Sequence, residues 1–454
     1  MKKIFVPIIV LVLFAGKGFT QFKFPVMEKY KLRNGLEVIF ADYGSLPITR
    51  IEVYVNTGKK NETPGMQNIS GITAEAILNG NTKWNRIEQD NLLYEMGSGI
   101  SASSNENYTN ISADFLNKDI DNGMDLMAAV LLHPTFPKDE IGEQIRSLID
   151  YNKPSKMDIG DLANVFSDYF VFGVNNPLGR YFYEAQLSRM TPEQIREYYR
   201  FTFTPKNTKL VISGKPDREK VKKLIEHYFA DWTAAYGEVN GVSFEMATIK
   251  TKEVAFVNKF EATQSALCWS KKGPEAESKD AMPFRLANSV FNGLLFDTIR
   301  AKEGKTYGIG SSYNRHTGLF NVTTQVRAEV TYETTRSFER LLKEFYDGGI
   351  TAEQLKTAKV KMKSAVLAMQ TPGEFIDFIN PMEYPDYEKR KMLLEDIEKM
   401  DVASVNKIIK KYFVPDVYKL VIVGNEAILS EQLEKLKELK KIPINAIETN
   451  GDIH

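Results

Sequence analysis

The chain has 454 residues, more than one hydrophobic core usually serves, so we expect two domains of about 200 residues each. Its 59 Lys and Arg residues balance 59 Asp and Glu residues, which excludes attraction to nucleic acid through bulk charge. The single cysteine, Cys268, excludes an internal disulfide and a cysteine-based zinc cluster.

The first twenty residues have the pattern of a secretory signal peptide. Lys2 and Lys3 precede an apolar run at residues 4–16, and Lys17 ends it. The run is shorter than the roughly 20 residues that a membrane span requires. We therefore expect residues 1–20 to be removed and the mature protein to be exported to a bacterial periplasm, with no stable membrane span. Retention of the segment as an uncleaved anchor is the alternative.

The next elements form the start of the first half. Asn34 and Gly35 lie between apolar alternations, which predicts a β-hairpin with both residues at positive φ. Residues 51–55 alternate apolar and polar side chains, as in a half-buried strand. Helical patterns follow at 69–78 and 86–96.

The rest of the first half changes from strand to helix and back. Residues 101–115 are polar and favour an edge strand, and 119–199 is mainly helical, with breaks at Pro134 and Pro177. Residues 210–214 predict a buried closing strand.

A segment at 232–251 has no sustained periodicity and predicts a linker. After it the same plan returns, with helical patterns from 283 to 412 interrupted by strands at 309–313 and 319–326. The predicted division is a signal peptide (1–20), a first domain (21–235), a linker (236–251), a second domain (252–445) and a frayed tail (446–454).

An internal repeat links the two domains. Residues 190–214 align without a gap to 400–424, and eight of the 25 positions are identical, including Pro205 with Pro415. A period of 210 residues is far longer than the roughly 20–50 of solenoid repeats and indicates a duplicated domain. We therefore predict an α+β fold of two homologous halves, each a largely antiparallel sheet packed with helices.

Four motifs in a fixed order carry a family resemblance. They are the hairpin sequence at 32–38, Gly58 followed by Glu62, the segment 176–180 (NPLGR), and the Pro-x-x-x-Lys-Leu-Val-Ile-x-Gly closure of each half. Together they resemble the pitrilysin/insulinase family of zinc peptidases, which includes mitochondrial processing peptidase. The resemblance extends from about residue 24 to 440 and implies repeated α+β halves.

Active members of that family carry His-x-x-Glu-His on a helix after the Gly58 region. Two histidines four residues apart hold zinc, the glutamate activates its water, and a further glutamate roughly 75 residues downstream completes the shell. Here Ile72 and Ala76 replace the histidines, while Glu75 keeps the base position. The downstream match, at 148–150, is loose.

The four histidines of the chain do not replace the missing ligands. They are His133, His227, His316 and His454. No two of them are at the spacing of zinc ligands on a helix, and the first lies far beyond the helix after Gly58. We therefore expect no metal and no cofactor in this chain, and a vestigial role for Glu75.

The second half keeps a different part of the family pattern. Arg300 precedes Tyr307 by seven positions, as in the segment that contacts the substrate in active members. The resemblance implies that the pair binds substrate backbone and stabilises charge on the attacked carbonyl, which suits a cation and a phenol donor. The alternative is a surface ion pair and a core tyrosine.

The resemblance implies two possible functions. The first is a non-catalytic subunit of an exported zinc metallopeptidase. It would bind the peptide substrate and complete the site of a homologous partner that holds the zinc, being inactive alone and active only in the complex. The second is a pseudo-peptidase that binds peptides or serves as a scaffold.

Overall fold

The computed structural model describes residues 24–234, 239–436 and 439–449. They form two six-stranded sheets, each packed with helices and each largely antiparallel. The predicted α+β class with two similar halves is confirmed. The signal peptide predicted at 1–20 lies outside the described residues.

The first sheet has the order β1-β2-β6-β3-β5-β4. Within the described part of the chain, only β2 and β6 of this sheet pair in parallel, and β4 leaves one side open at the sheet edge. The strands are β1 (Met27–Lys31), β2 (Glu37–Ala41), β3 (Ile48–Val55), β4 (Ile100–Ser104), β5 (Thr109–Leu116) and β6 (Thr208–Gly214).

The second sheet has the order β12-β7-β11-β8-β10-β9. Five of its strands follow the order of the first sheet, with β7 and β11 again parallel. The strands are β7 (Glu253–Asn258), β8 (Gln264–Lys272), β9 (Thr306–Asn314), β10 (Leu319–Arg327), β11 (Lys419–Gly424) and β12 (Leu439–Ile442).

Helices cover both sheets. In the first half they are α1 (Ile69–Ala76), α2 (Arg86–Glu95), α3 (Ile120–Leu132), α4 (Lys138–Tyr151), α5 (Ile159–Phe172), α6 (Glu184–Leu187), α7 (Pro192–Thr202) and α8 (Arg218–Phe229). In the second half they are α9 (Ala281–Leu295), α10 (Thr331–Gly348), α11 (Ala352–Leu367), α12 (Pro372–Ile379), α13 (Leu393–Lys399), α14 (Val402–Tyr412), α15 (Glu426–Leu433) and α16 (Ala446–Thr449).

The sequence repeat corresponds to a structural repeat. Helices α7 and α14 occupy the same positions 210 residues apart, and each leads into the central strand of its sheet, β6 or β11. Alternate residues of these strands enter different cores, because strand side chains point to opposite faces. Thus Leu210 packs with the helices of the first half, and Val211 packs on the other face.

The two halves exchange one helix each. The apolar side of α5, with Leu162 and Phe166, covers a face of the second sheet that includes Cys268. In return, α12 of the second half places Phe375 and Ile379 on the first sheet. Each half therefore completes the core of the other.

Three local predictions are wrong in detail. The hairpin forms, but only Gly35 has positive φ, because the loop spans five residues and is closed by a bond from Leu32 N to Leu36 O. Residues 101–115 are two strands rather than one, since the side chain of Asn105 turns the chain by accepting from the backbone N–H of Tyr108. The tail expected to fray from residue 446 begins instead with α16, in which Ile447 is fully buried, and residues 450–454 lie outside the described residues.

Candidate functional site

The start of α1 is fixed by the motif residue Glu62, and the motif residue Gly58 packs against the turn at Asn105. The buried Glu62 carboxylate accepts from the backbone N–H groups of Asn68 (2.9 Å) and Ser70 (3.3 Å), which caps the helix. Burial raises the pKa of Glu62, and these bonds oppose that effect. A Cβ on Gly58 would lie 2.3 Å from the Asn105 carbonyl oxygen, so only glycine fits there. Glu62 therefore positions the helix, and Gly58 lets the preceding chain pass close to the β4–β5 turn.

The two positions that hold zinc in active relatives are aliphatic and buried. Ile72 is 1% exposed and Ala76 is 0% exposed, and both belong to the core of the first half. They are four residues apart on one helix, so they share a face. Neither side chain has an atom that can coordinate a metal. Glu75 is exposed at the same level of the helix.

Helix α4 lies across from α1, and Gln144 joins them. Its Nε2 donates to the Glu75 carboxylate over 3.1 Å and to the Ile72 carbonyl over 3.0 Å. Tyr151, which is 75 residues after Ala76, lines the cleft beside α1. The carboxylate expected near 148–150 is Asp150, but it pairs with exposed Lys156 and lies outside the cleft lining.

A cleft of about 1020 Å³ opens between α1, α2, α4 and the edge strand β4. Two of its lining residues, Tyr94 and Tyr151, are 86% and 78% exposed. An open strand edge beside such a cleft can pair with the backbone of an extended peptide. The charged residues of the lining are Glu75, Arg86, Asp90, Glu140 and Glu143.

Within residues 24–234, 239–436 and 439–449, no group of three His, Cys, Asp or Glu side chains is placed to share a metal ion. His133 ends α3, and His227 lies in α8. His316 lies in the turn between β9 and β10, with Nε2 3.6 Å from the Glu383 carboxylate. The residues at the zinc position therefore do not fit the metal.

Arg300 and Tyr307 lie at the edge of the second sheet. Arg300 is exposed in a π-helical extension of α9 (Phe296–Lys302), and its guanidinium stacks on Phe296 at 4.4 Å. Tyr307 is 88% exposed near the start of β9. Among the described residues, neither side chain has a hydrogen bond or an ion pair. The alternative of an ion pair and a core tyrosine is therefore wrong.

The loop between the two residues is anchored to α10. The Glu303 carboxylate accepts from Ser337 (2.6 Å) and pairs with Lys305 (2.8 Å) and Arg340. Gly304 follows at φ +62°, a conformation that favours glycine. This anchoring presents Arg300 and Tyr307 to solvent from a fixed loop.

Within the chain, the structure does not bring the cleft at Glu75 and the sheet edge with Arg300 and Tyr307 into one site. Tyr307 lines a groove of about 640 Å³ between α5 and the β9–β10 edge, and no residue lines both this groove and the cleft at α1. Gln144 and Tyr151 are the residues of the cleft that the sequence interpretation missed. The sequence interpretation looked for a carboxylate at 148–150, next to Tyr151, and gave no signal for a tyrosine.

Comparisons with known proteins identify the family of the chain. Residues 39–155 match the family described as Insulinase (Peptidase family M16), and residues 189–362 match the Peptidase M16 inactive domain. The uncharacterized zinc protease YmxG of Bacillus subtilis is 20% identical over 410 residues, which are 88% of this chain and 98% of that protein.

Solved structures share the fold. The peptidase M16 inactive domain from Pseudomonas fluorescens has a TM-score of 0.79 at 18% identity, covering 88% of this chain and 98% of its own. The periplasmic protease PqqL from Escherichia coli has a TM-score of 0.75 at 15% identity, covering 91% of this chain and 48% of its own. No helix in the part of the chain that the structure describes is long and apolar enough to cross a membrane.

Proposed function

Because the chain belongs to the insulinase family of peptidases (M16), we propose that it is a non-catalytic subunit of an exported zinc metallopeptidase. A homologous partner would bring the zinc, and this chain would contribute Arg300 and Tyr307 to the bound peptide. The chain itself would hold no cofactor. Export to the periplasm is part of this proposal; the signal-like residues 1–20 support it, as does the periplasmic location stated for one structural neighbour.

One observation carries this proposal, the contrast between the two halves. The metal positions Ile72 and Ala76 are aliphatic and are 1% and 0% exposed. Arg300 and Tyr307, in contrast, are exposed and have no polar partner among the described residues. An exposed arginine and tyrosine on an anchored loop can donate hydrogen bonds to a peptide backbone or to a developing oxyanion that comes from outside the chain.

The test is reconstitution with a zinc-bearing homologue of the same organism. We expect the isolated chain to contain no stoichiometric zinc by elemental analysis and to cleave no fluorogenic peptide, and the mixture to cleave it. In the mixture, Arg300→Ala should lower kcat by about 100-fold, as for the loss of an oxyanion donor. Lys302→Ala, which removes an exposed cation from the same π-helical turn, is the matched control.

Two outcomes would overturn the proposal. One is unchanged turnover with Arg300→Ala in the active mixture. The other is stoichiometric zinc in the isolated chain together with proteolysis that a chelator stops.

A second function is favoured by the open edge of β4. The cleft beside it, with Tyr94 and Tyr151 exposed, offers backbone pairing and aromatic contacts to an extended peptide without any metal. In that case the chain is a pseudo-peptidase that binds peptides by itself. Peptide binding by the isolated chain that is unaffected by Arg300→Ala and weakened by Tyr94→Ala distinguishes it from the first function.

A further inference from the structure

A third cavity lies in the second half. It shares no lining residue with the cleft at α1 or with the groove at Tyr307. It has a volume of about 440 Å³, within the range of roughly 300–1,000 Å³ usual for small-molecule sites. The start of α9, the turn after β9 and the segment 384–396 surround it. Three arginines line it, one from each of these parts: Arg285, Arg315 and Arg390.

Two of the arginines are stacked on one tyrosine. The guanidinium carbons of Arg315 and Arg390 lie 3.8 Å and 3.9 Å from the ring centroid of Tyr384. Such stacking holds a guanidinium in place, but it does not neutralise its charge. The arrangement thus concentrates positive charge at the cavity wall.

The acidic residues of the lining each lie near a cation, and only one of them pairs with one of the three arginines, Arg315, which also donates to the backbone carbonyl of Glu383. Glu277 pairs with Arg315 at 2.8 Å. Asp386 pairs with Lys389 at 2.6 Å, and Asp396 is 3.7 Å from Lys399. Just outside the lining, the carboxylate of Glu383 accepts from Tyr108 and lies near His316.

Among the residues that the structure describes, Arg285 and Arg390 have no carboxylate partner. Arg285, which is partly buried, makes no hydrogen bond or ion pair within the described ranges. The Nε of Arg390 donates to the Phe378 carbonyl at 3.1 Å, which is a neutral acceptor. Burial lowers the pKa of Arg390 to about 10, and the charges of Arg285 and Arg315 act in the same direction, so it stays protonated at neutral pH.

We propose that this cavity binds a small oxyanion, a phosphate or a carboxylate, through Arg285, Arg315 and Arg390. Guanidinium groups are the usual partners of such anions, since their N–H donors match two oxygens at once. The bound anion would supply a counter-charge to Arg285 and Arg390, for which the described residues provide none, and would share Arg315 with Glu277. The cavity also includes Met282 and Leu393, which leaves apolar wall for the group that carries the anion.

The proposal is tested by titrating the full mature chain with sodium phosphate at constant ionic strength, using sodium chloride to balance the buffers. We expect saturable binding by calorimetry and a rise in Tm with phosphate. Acetate and sulfate, titrated in parallel, distinguish a carboxylate site from a site for tetrahedral anions, and preferential binding of either class supports the proposal.

Variants separate this cavity from the rest of the surface. Arg285→Gln should weaken anion binding at least tenfold and should not lower the Tm in chloride, because it removes an unpaired cation. Arg285→Lys should retain part of the affinity. Arg327→Gln, which removes an exposed arginine outside the cavity, should change nothing. Absence of saturable binding for all three anions, or equal binding by Arg285→Gln and the unmodified chain, overturns the proposal.

Discussion

Gln144 and Glu75 face each other across the cleft, with 3.1 Å between the amide nitrogen and a carboxylate oxygen. The same nitrogen reaches the carbonyl of Ile72. In a zinc peptidase the glutamate at this position acts on metal-bound water. Here the carboxylate of Glu75 accepts a hydrogen bond from Gln144, which joins α1 to α4. The bond gives Glu75 a structural partner in place of a catalytic one.

Gln144→Glu should therefore weaken the contact between α1 and α4. The introduced carboxylate would face Glu75 and would donate no hydrogen bond, so we expect a loss of about 1 kcal/mol in unfolding free energy at pH 7. Urea denaturation measures this. The loss of unfolding free energy should shrink near pH 4, where protonation of the introduced carboxyl group relieves its repulsion from Glu75. Gln144→Met, which removes the bond without adding charge, should show no such recovery.

Ala76→His should destabilise the chain without creating a metal site. The position is fully buried against the core of the first half, so an imidazole must displace its neighbours, and overpacking of this kind costs about 1–3 kcal/mol. Denaturation measures the loss, and Glu75→Gln at the neighbouring exposed position is the control. An Ala76→His chain as stable as the original would contradict the packing described here.

Arg300→Ala and Tyr307→Phe should leave the isolated chain as stable as before. Both residues are exposed and make no hydrogen bond or ion pair among the described residues, so changes of less than about 0.5 kcal/mol are expected. Glu303→Ala, in contrast, removes the anchor to α10 and should be measurably destabilising. Thermal denaturation of the three variants tests this difference. A large loss with Arg300→Ala would mean that its role is structural.

Asp168 on α5 makes stability depend on pH. Burial raises its pKa to about 7, with Glu106 acting in the same direction and Lys59 against it. Between about pH 4 and 7 the folded chain keeps a proton that the unfolded chain has lost. The contribution of Asp168 to stability should therefore fall as pH rises through this window and stay low above it.

Asp168→Asn removes this dependence. Relative to the unmodified chain, the variant should gain stability at pH 8, by at least the roughly 1.4 kcal/mol that one pKa unit represents, and gain less at pH 5. Denaturation at the two pH values measures the difference. Asp161→Asn, at an exposed position of the same helix, is the control.

Phe375→Ala should loosen the half of the chain to which it does not belong. Its ring is fully buried on the first sheet and stacks on Tyr43 at 4.6 Å, so its loss should cost about 3–5 kcal/mol. Hydrogen exchange should accelerate in β2 and β6. Phe260→Ala, at a 77% exposed position, is the control. Faster exchange confined to the second half would contradict the exchange of helices.

The family and the duplicated fold were predictable from the sequence because glycines, prolines and buried strand residues recur in register. The match between residues 190–214 and 400–424, which end at Gly214 and Gly424, predicted the two halves. The comparisons confirm the family. The division at 235 and 252 stays a prediction. So do the roles of Arg300 and Tyr307, although their exposure agrees with them.

The parts that were missed depend on long-range packing. Gln144 is neutral and lies 69 residues from Glu75, so neither charge nor spacing indicates their contact. Periodicity shows that α5 and α12 have apolar sides, but it does not show which sheet each side covers. The turn at Asn105 did carry a local signal, since asparagine accepts backbone bonds in turns.

The packing of α5 and α12 on each other's sheets has a consequence for the ancestry of the chain. A single ancestral copy, made alone, would have exposed the strand face that its counterpart now shields. It would have needed a second copy of itself, trading helices as partners do in a domain-swapped dimer. Fusion of the two gene copies would then have made a permanent pair from molecules that already depended on each other.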